Sequence, residues 1–210
     1  MAAYLPYVLY LASRSPQRAM LLKRAGVPFA VVDSACNEDV ILHTNPQVLA
    51  LERARGKARG AVLDAAQLAD GPAVVIAADT VVAKGSATFG KPANRADAVR
   101  ILTELQGTTH SVFTGHSCVR FAADGSVRSE AARIAVARVT MKPLTAEEID
   151  VYVASGESEG RAGAYAIQEK GDRFVTDLQG SWDTVVGLTV SMVARLYQEC
   201  TDLLLPGFRP

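Results

Sequence analysis

One domain that mixes strands and helices is what this 210-residue sequence predicts, on three observations. Residues 7–12 form a β-rich run that breaks at Ser13-Arg14-Ser15 and passes into helical spacing, a strand-to-helix junction. Residues 73–78 hold only Ala, Val and Ile, too short a run for a stable helix and β-branched enough for a strand buried on both faces. Residues 110–121 and 127–141 are β-rich and joined by Ala-Asp-Gly at 123–125, a hairpin signal that predicts a meander. With 49% hydrophobic and 21% charged residues the chain can bury a full core, and no linker divides it, so residues 1–210 read as one unit.

Taken in order, Ser15 is placed to cap a helix with Pro16 at its first position, and Leu21, Leu22 and Ala25 make its buried stripe up to Gly26. A helix start flanked by two hydroxyls and two arginines suits a phosphate group, although capping with solvated arginines explains the same residues. Residues 27–32 read as a second strand and 33–39 as a polar loop whose Glu38 or Asp39 could join Asp79 as oxygen ligands of a hard cation. The spacing of Val48, Leu49, Leu51, Ala54, Ala58, Val62 and Leu68 predicts one long helix over 46–68. On it Arg53 and Lys57 share one face and Arg55 and Arg59 the opposite one, so at most one pair can point at a site.

The apolar run ends at Asp79, and residues 79–83, Lys84-Gly85 and a return through Thr88-Phe89 predict a hairpin that brings Gly90-Lys91-Pro92 near the acid. A buried acid with a nearby cation suits a polyanion or metal site, with a turn-capping aspartate as the plainer alternative. Asn94 caps a helix through Val99, Leu102 and Leu105 that ends at Gly107. Thr145 with Glu148 is a capping box opening a helix that closes at Gly156. Four glycines between 156 and 171 mark a loop that lets backbone approach a ligand. A last strand over 174–178 leads to a C-terminal helix containing Val190, Val193, Leu196 and Tyr197.

Several classes are excluded. The 22 basic and 22 acidic residues balance, which argues against a bulk nucleic-acid or membrane-surface binder. Cys36, Cys118 and Cys200 have no Cys-x-x-Cys spacing, so neither a disulfide framework nor a zinc ribbon is indicated and a reducing, cytoplasmic setting fits. Pro6 and the absence of a basic leading region count against a signal peptide or membrane span. P-loop and Gly-x-Gly-x-x-Gly fingerprints are absent, His43, His110 and His116 lack a His-x-x-x-His partner, and Ser117 lacks a Gly-x-Ser-x-Gly elbow.

Seven segments occur together and in one order: LASRSPQR, NED, ERARGKA, AADTVV, GKP, SGESEGRAGAYAIQ and GSWDTVVGL. In these, over about residues 8 to 190, the chain resembles the Maf-family nucleotide pyrophosphatases. The resemblance implies an α/β fold around an elongated mixed β-sheet flanked by helices with a central cleft, akin to the inosine-triphosphate pyrophosphatase group. It implies hydrolysis of a nucleoside triphosphate to the monophosphate and pyrophosphate with a divalent metal cation, Mg or Mn, and allows a homodimer. The AGAYAIQ form resembles the subgroup acting on dTTP and UTP rather than that associated with 7-methyl-GTP. By motif, Asp79 is the expected proton acceptor, Arg18, Thr80 and Gln168 the residues that set base preference, and Ser13, Glu38, Lys57 and Lys91 further site positions, with Glu38 and Asp79 as metal ligands. Arginine donates only, so Arg18 favours uracil or thymine, whereas the Gln168 amide can turn to suit cytosine as well.

The chain departs from the family pattern at Gln17, where an arginine is usual, at Asn37, where an acid is usual, and at Trp182, Thr184 and Thr189, where Tyr, Asn and Pro are usual. A second reading, from a different class, is a nucleotide-binding regulator of cell division without significant turnover.

Overall fold

The computed structural model describes residues 7–69, 72–167 and 170–208. Its centre is a seven-stranded mixed sheet. Strands β1 (Leu9–Ala12), β2 (Ala30–Val32) and β3 (Ala73–Lys84) are parallel, in the order β2-β1-β3. Beyond β3 the sheet continues antiparallel through β5 (Thr109–Phe121), β6 (Val127–Met141) and β7 (Val175–Gln179), while β4 (Ala87–Phe89) folds back on the end of β3. The mixed α/β architecture and the β5–β6 meander are as expected from the sequence.

The run over 73–78 does not stop at Asp79. It is the first half of a continuous 12-residue strand, and its side-chain alternation decides what the site can contain. Val74, Ile76 and Ala78 face a core built with α1 (Pro16–Arg24) and the C-terminal helix over Val190–Thr201, whereas Ala73, Val75 and Ala77 face the opposite side. By the same alternation Asp79 and Thr80 belong to opposite faces. A gap beside the strand lets both be reached: β1 pairs with β3 as far as Leu11–Ile76, and β4 begins pairing only at Val82–Phe89. Among the described residues no strand covers 77–81 on that side.

The helix expected over 46–68 is two. α2 (Pro46–Arg59) ends at Gly60, and α3 (Ala65–Ala69) follows after a break. The chain leaves α2 to bridge the segment after β2: Ala35 N donates to Gly60 O at 2.8 Å and Val62 N to Asp33 O at 2.8 Å. A Cβ on Gly60 would stand 3.1 Å from both Cys36 N and Ser34 Oγ, a tight approach that glycine relieves. Val62 and Leu68 match the helical spacing of α2 yet lie outside it.

α4 (Arg95–Leu105) and α5 (Ala146–Ala154) cover the antiparallel end, capped as expected: Asn94 Oδ1 accepts from Asp97 N at 2.9 Å, and Thr145 and Glu148 form a reciprocal capping box. A short helix not foreseen in the sequence, α6 (Trp182–Val186), precedes the C-terminal helix, α7 (Val190–Thr201). Among the described residues no helix is long and apolar enough to cross a membrane.

α2 lies against β5 and β3 so closely that one position admits only glycine. Gly115, directly opposite Asp79 in the β3–β5 register, would place a Cβ 2.3 Å from Ala50 O. Because the clash is with helix backbone, Gly115→Ala can be relieved only by moving α2. The expected cost is about 3 kcal/mol, seen as a fall of about 6–12 °C in Tm for a chain of this size. An unchanged Tm would contradict this packing.

Candidate functional site

The gap beside β3 opens into a cleft of about 440 Å³. Its walls are the turn after β1, the loop after β2, α2, the loop carrying Lys91, the glycine-rich segment around 159–167 and the end of α6. Ser13, Arg18, Glu38, Lys57, Asp79, Thr80 and Lys91 all line it. Gln168 lies outside the described residues, next to Ile167, which also lines the cleft.

Lys57 is the unexpected centre. Its Nζ is 2.6 Å from Asp79 Oδ1 and 2.7 Å from Glu38 Oε2, and both Lys57 and Asp79 are buried. Paired charges at this depth are tolerated because each neutralises the other; a lone one would carry a desolvation cost of several kcal/mol. Asp79 Oδ2 is buried and has no hydrogen-bond partner among the described residues. Burial pushes the Glu38 carboxyl up, but the Lys57 hydrogen bond and the charges of Lys57, Lys91 and Arg18 outweigh it and hold it below its usual value. Glu38 is therefore ionised at neutral pH.

The face rule on α2 holds. Lys57 points into the cleft, while Arg55 and Arg59 turn to Glu130 on β6, at 3.8 and 2.7 Å. Of the loop acids, Glu38 joins the cluster and Asp33 lines the cleft wall. Asp39 does not line the cleft and takes no part in the cluster. Asn37, neutral where the family has an acid, instead caps the turn Glu38–Val40 by accepting from Asp39 N at 3.1 Å.

At the other wall, Ser15 occupies the N-cap position of α1 but does not cap it; its hydroxyl donates to Gln17 Oε1 at 3.1 Å. The side-chain capping expected from the sequence is thus absent, and the first N–H groups of α1 have no side-chain oxygen from Ser15. They stand at the cleft, with Pro16 and Gln17 in its wall. Arg18 is held as a strut: Nε donates to Gly187 O at 2.8 Å, Nη1 to Ser13 Oγ at 3.2 Å and Nη2 to Thr80 Oγ1 at 3.4 Å. Burial lowers its pKa, with Asp79 and Glu38 acting in the opposite sense.

Behind Thr80 runs a buried hydroxyl network that the sequence did not announce. Thr80 Oγ1 meets Thr114 Oγ1 at 3.0 Å, and Thr114 donates to Thr184 O at 2.7 Å. Thr184 and Thr189, two of the departures from the family pattern, compensate each other: their hydroxyls bond at 2.7 Å, and Thr189 N donates to His116 Nε2 at 2.8 Å. The available signal was three polar residues on one face of an apolar strand, His110, Thr114 and His116, all buried.

The family model for Maf-like proteins matches residues 8–200. A dTTP/UTP pyrophosphatase of Xanthomonas campestris pv. campestris is 41% identical over 90% of this chain and 96% of its own length. One from a Polaromonas species is 38% identical over 90% and 93%, and one from Bacillus anthracis is 39% identical over 89% and 92%.

His116 gives the network a pH signature. Burial, aided by the Arg18 charge, pushes its pKa down from 6.5 to about 3. The unfolded chain takes up this proton near pH 6.5 and the folded chain only near 3, so the contribution is intact above 6.5 and declines as pH falls below it. At pH 4.5 the loss is about 2–3 kcal/mol. Urea unfolding at pH 7 and 4.5 should show it, and His116→Gln should reduce the slope, leaving the part due to His110, whose pKa burial lowers to about 4. An NMR titration in which the His116 ring protonates between pH 6 and 7 would contradict the assignment.

Proposed function

The chain belongs to the Maf-like family, and from that premise we propose that it is a nucleoside triphosphate pyrophosphatase, hydrolysing dTTP and UTP to the monophosphate and pyrophosphate. The observation that carries the reading is the Glu38–Lys57–Asp79 cluster, which puts two carboxylates and a buried ammonium beside an uncapped helix start in one cleft.

The roles follow from what each group can do. The triphosphate is met by donors: the first N–H groups of α1, the Ser13 hydroxyl, Lys57 and Lys91. Lys57 and Lys91 offset the charge that develops on the departing pyrophosphate. Asp79 Oδ2, an acceptor without a partner, either takes the proton of the attacking water directly or holds the cation that acidifies that water, while Oδ1 stays on Lys57. Arg18, Thr80 and Gln168 set the base preference, Arg18 with the donors left over from its three protein bonds.

The residues also fit a divalent cation. Glu38 and Asp79 both supply oxygens to a single positive charge, that of Lys57, and Asp79 Oδ2 is an acceptor a cation would satisfy. Among the described residues no group of three or more His, Cys, Asp or Glu side chains is placed to hold a metal. Glu38 and Asp79 would therefore hold Mg or Mn jointly with phosphate oxygens and water, which is usual for magnesium. When bound, the ion acidifies water and neutralises phosphate charge.

Pyrophosphate release measured with Mg or Mn across UTP, dTTP, CTP, GTP and 7-methyl-GTP tests the proposal. Release from UTP and dTTP, lowered by about 10²–10⁴-fold in Asp79→Asn, is expected. Nucleotide binding without turnover in the wild type would contradict it and favour a nucleotide-binding regulator.

A further inference from the structure

Two hydroxyls in the cleft wall are in opposite hydrogen-bond states. Ser13 Oγ accepts from Ser15 N and from Arg18 Nη1, each at 3.2 Å. Both its lone pairs are engaged and its hydrogen is free to donate, as a phosphate oxygen requires. Thr80 is the converse. Thr114 stands directly opposite it in the β3–β5 register and is fully buried. The Thr114 hydroxyl donates to the Thr184 carbonyl at 2.7 Å, and a hydroxyl has one hydrogen. The 3.0 Å contact between Thr114 and Thr80 is therefore donated by Thr80. With Arg18 Nη2 on one lone pair at 3.4 Å, Thr80 keeps a single acceptor position for whatever enters the cleft.

We propose that Thr114 is a positioning residue that determines base specificity: it holds Thr80 as an acceptor only, so that the cleft selects a base presenting N3–H, uracil or thymine, over cytosine. The inference rests on the reading of Thr80 as a residue that meets the base. Cytosine presents a lone pair at N3, which would face the lone pair of Thr80 with no hydrogen between them, an unpaired contact in a half-buried site. The same polarity repels phosphate oxygens, so the triphosphate belongs at the Ser13 end. Gln168 cannot supply this discrimination alone, because an amide can present either its donor or its acceptor. Thr114 touches no substrate; it acts through the direction of one hydrogen bond.

Thr114→Val removes the acceptor behind Thr80, whose hydroxyl can then turn and donate to cytosine N3. The ratio of kcat/KM for UTP over CTP should fall on the order of tenfold, while Thr114→Ser, which keeps the hydroxyl, should hold the wild-type ratio. Equal losses on both nucleotides with the ratio unmoved would reduce Thr114 to a packing role and overturn the inference. So would an equal shift in the Ser and Val variants. The same ratio taken from Kd values for non-hydrolysable α,β-methylene analogues of UTP and CTP tests Thr114 independently of turnover. Absence of turnover in the wild type thus counts against the pyrophosphatase reading alone.

Discussion

The buried ammonium of Lys57 between Asp79 and Glu38 is the contact on which the rest of the site depends. It draws together three separate parts of the chain: a helix, the middle of the central strand and a loop after β2. Neither Lys57 nor Asp79 could sit so deep without an opposite charge beside it, and Glu38 meets the pair from the partly exposed side. The contact in turn requires α2 to press on the sheet, which Gly115 permits at the position facing Asp79. A packing constraint on one strand is thereby converted into the position of a charge on its neighbour.

Around that cluster the cleft has a direction. Donors gather at one end, where the Ser13 hydrogen, the uncapped turn of α1, Lys57 and Lys91 suit an anion. At the other end Thr80 offers a lone pair. Arg18 joins the two ends, bonded to Ser13 and Thr80 and anchored on Gly187 O. The alternation of β3 keeps the chemistry separate, with Asp79 on the face of α2 and Thr80 on the face of α6. The gap between β1 and β4 makes both accessible to one ligand.

Much of this was legible in the sequence, for reasons that can be named. The strand over 73–78, the hairpin to Phe89, the Asn94 and Thr145 caps and the β5–β6 meander are local, and periodicity and cap chemistry suffice to read them. The opposed faces of α2 followed from helical geometry alone, and Lys57 fell on the correct one. What failed was long-range. The end of α2 at Gly60 is set by bridging to residues 33–35, which no local pattern announces. The free N-terminus of α1 depends on Ser15 turning to Gln17. Thr114 and Gly115 acquire meaning only through the cross-strand register that places them opposite Thr80 and Asp79. Thr184 and Thr189 read as departures singly, and as one substitution once their hydroxyls are seen to bond.

Glu38 and Asp79 are proposed to act as a pair toward a cation brought with the substrate, beside the Lys57 ammonium that bridges them. Manganese binding followed by electron paramagnetic resonance, with and without a non-hydrolysable UTP analogue, tests it most directly. Nucleotide should strengthen manganese binding, and Glu38→Gln and Asp79→Asn should each weaken it by about tenfold or more. Manganese affinity unchanged by nucleotide and by both substitutions would contradict it.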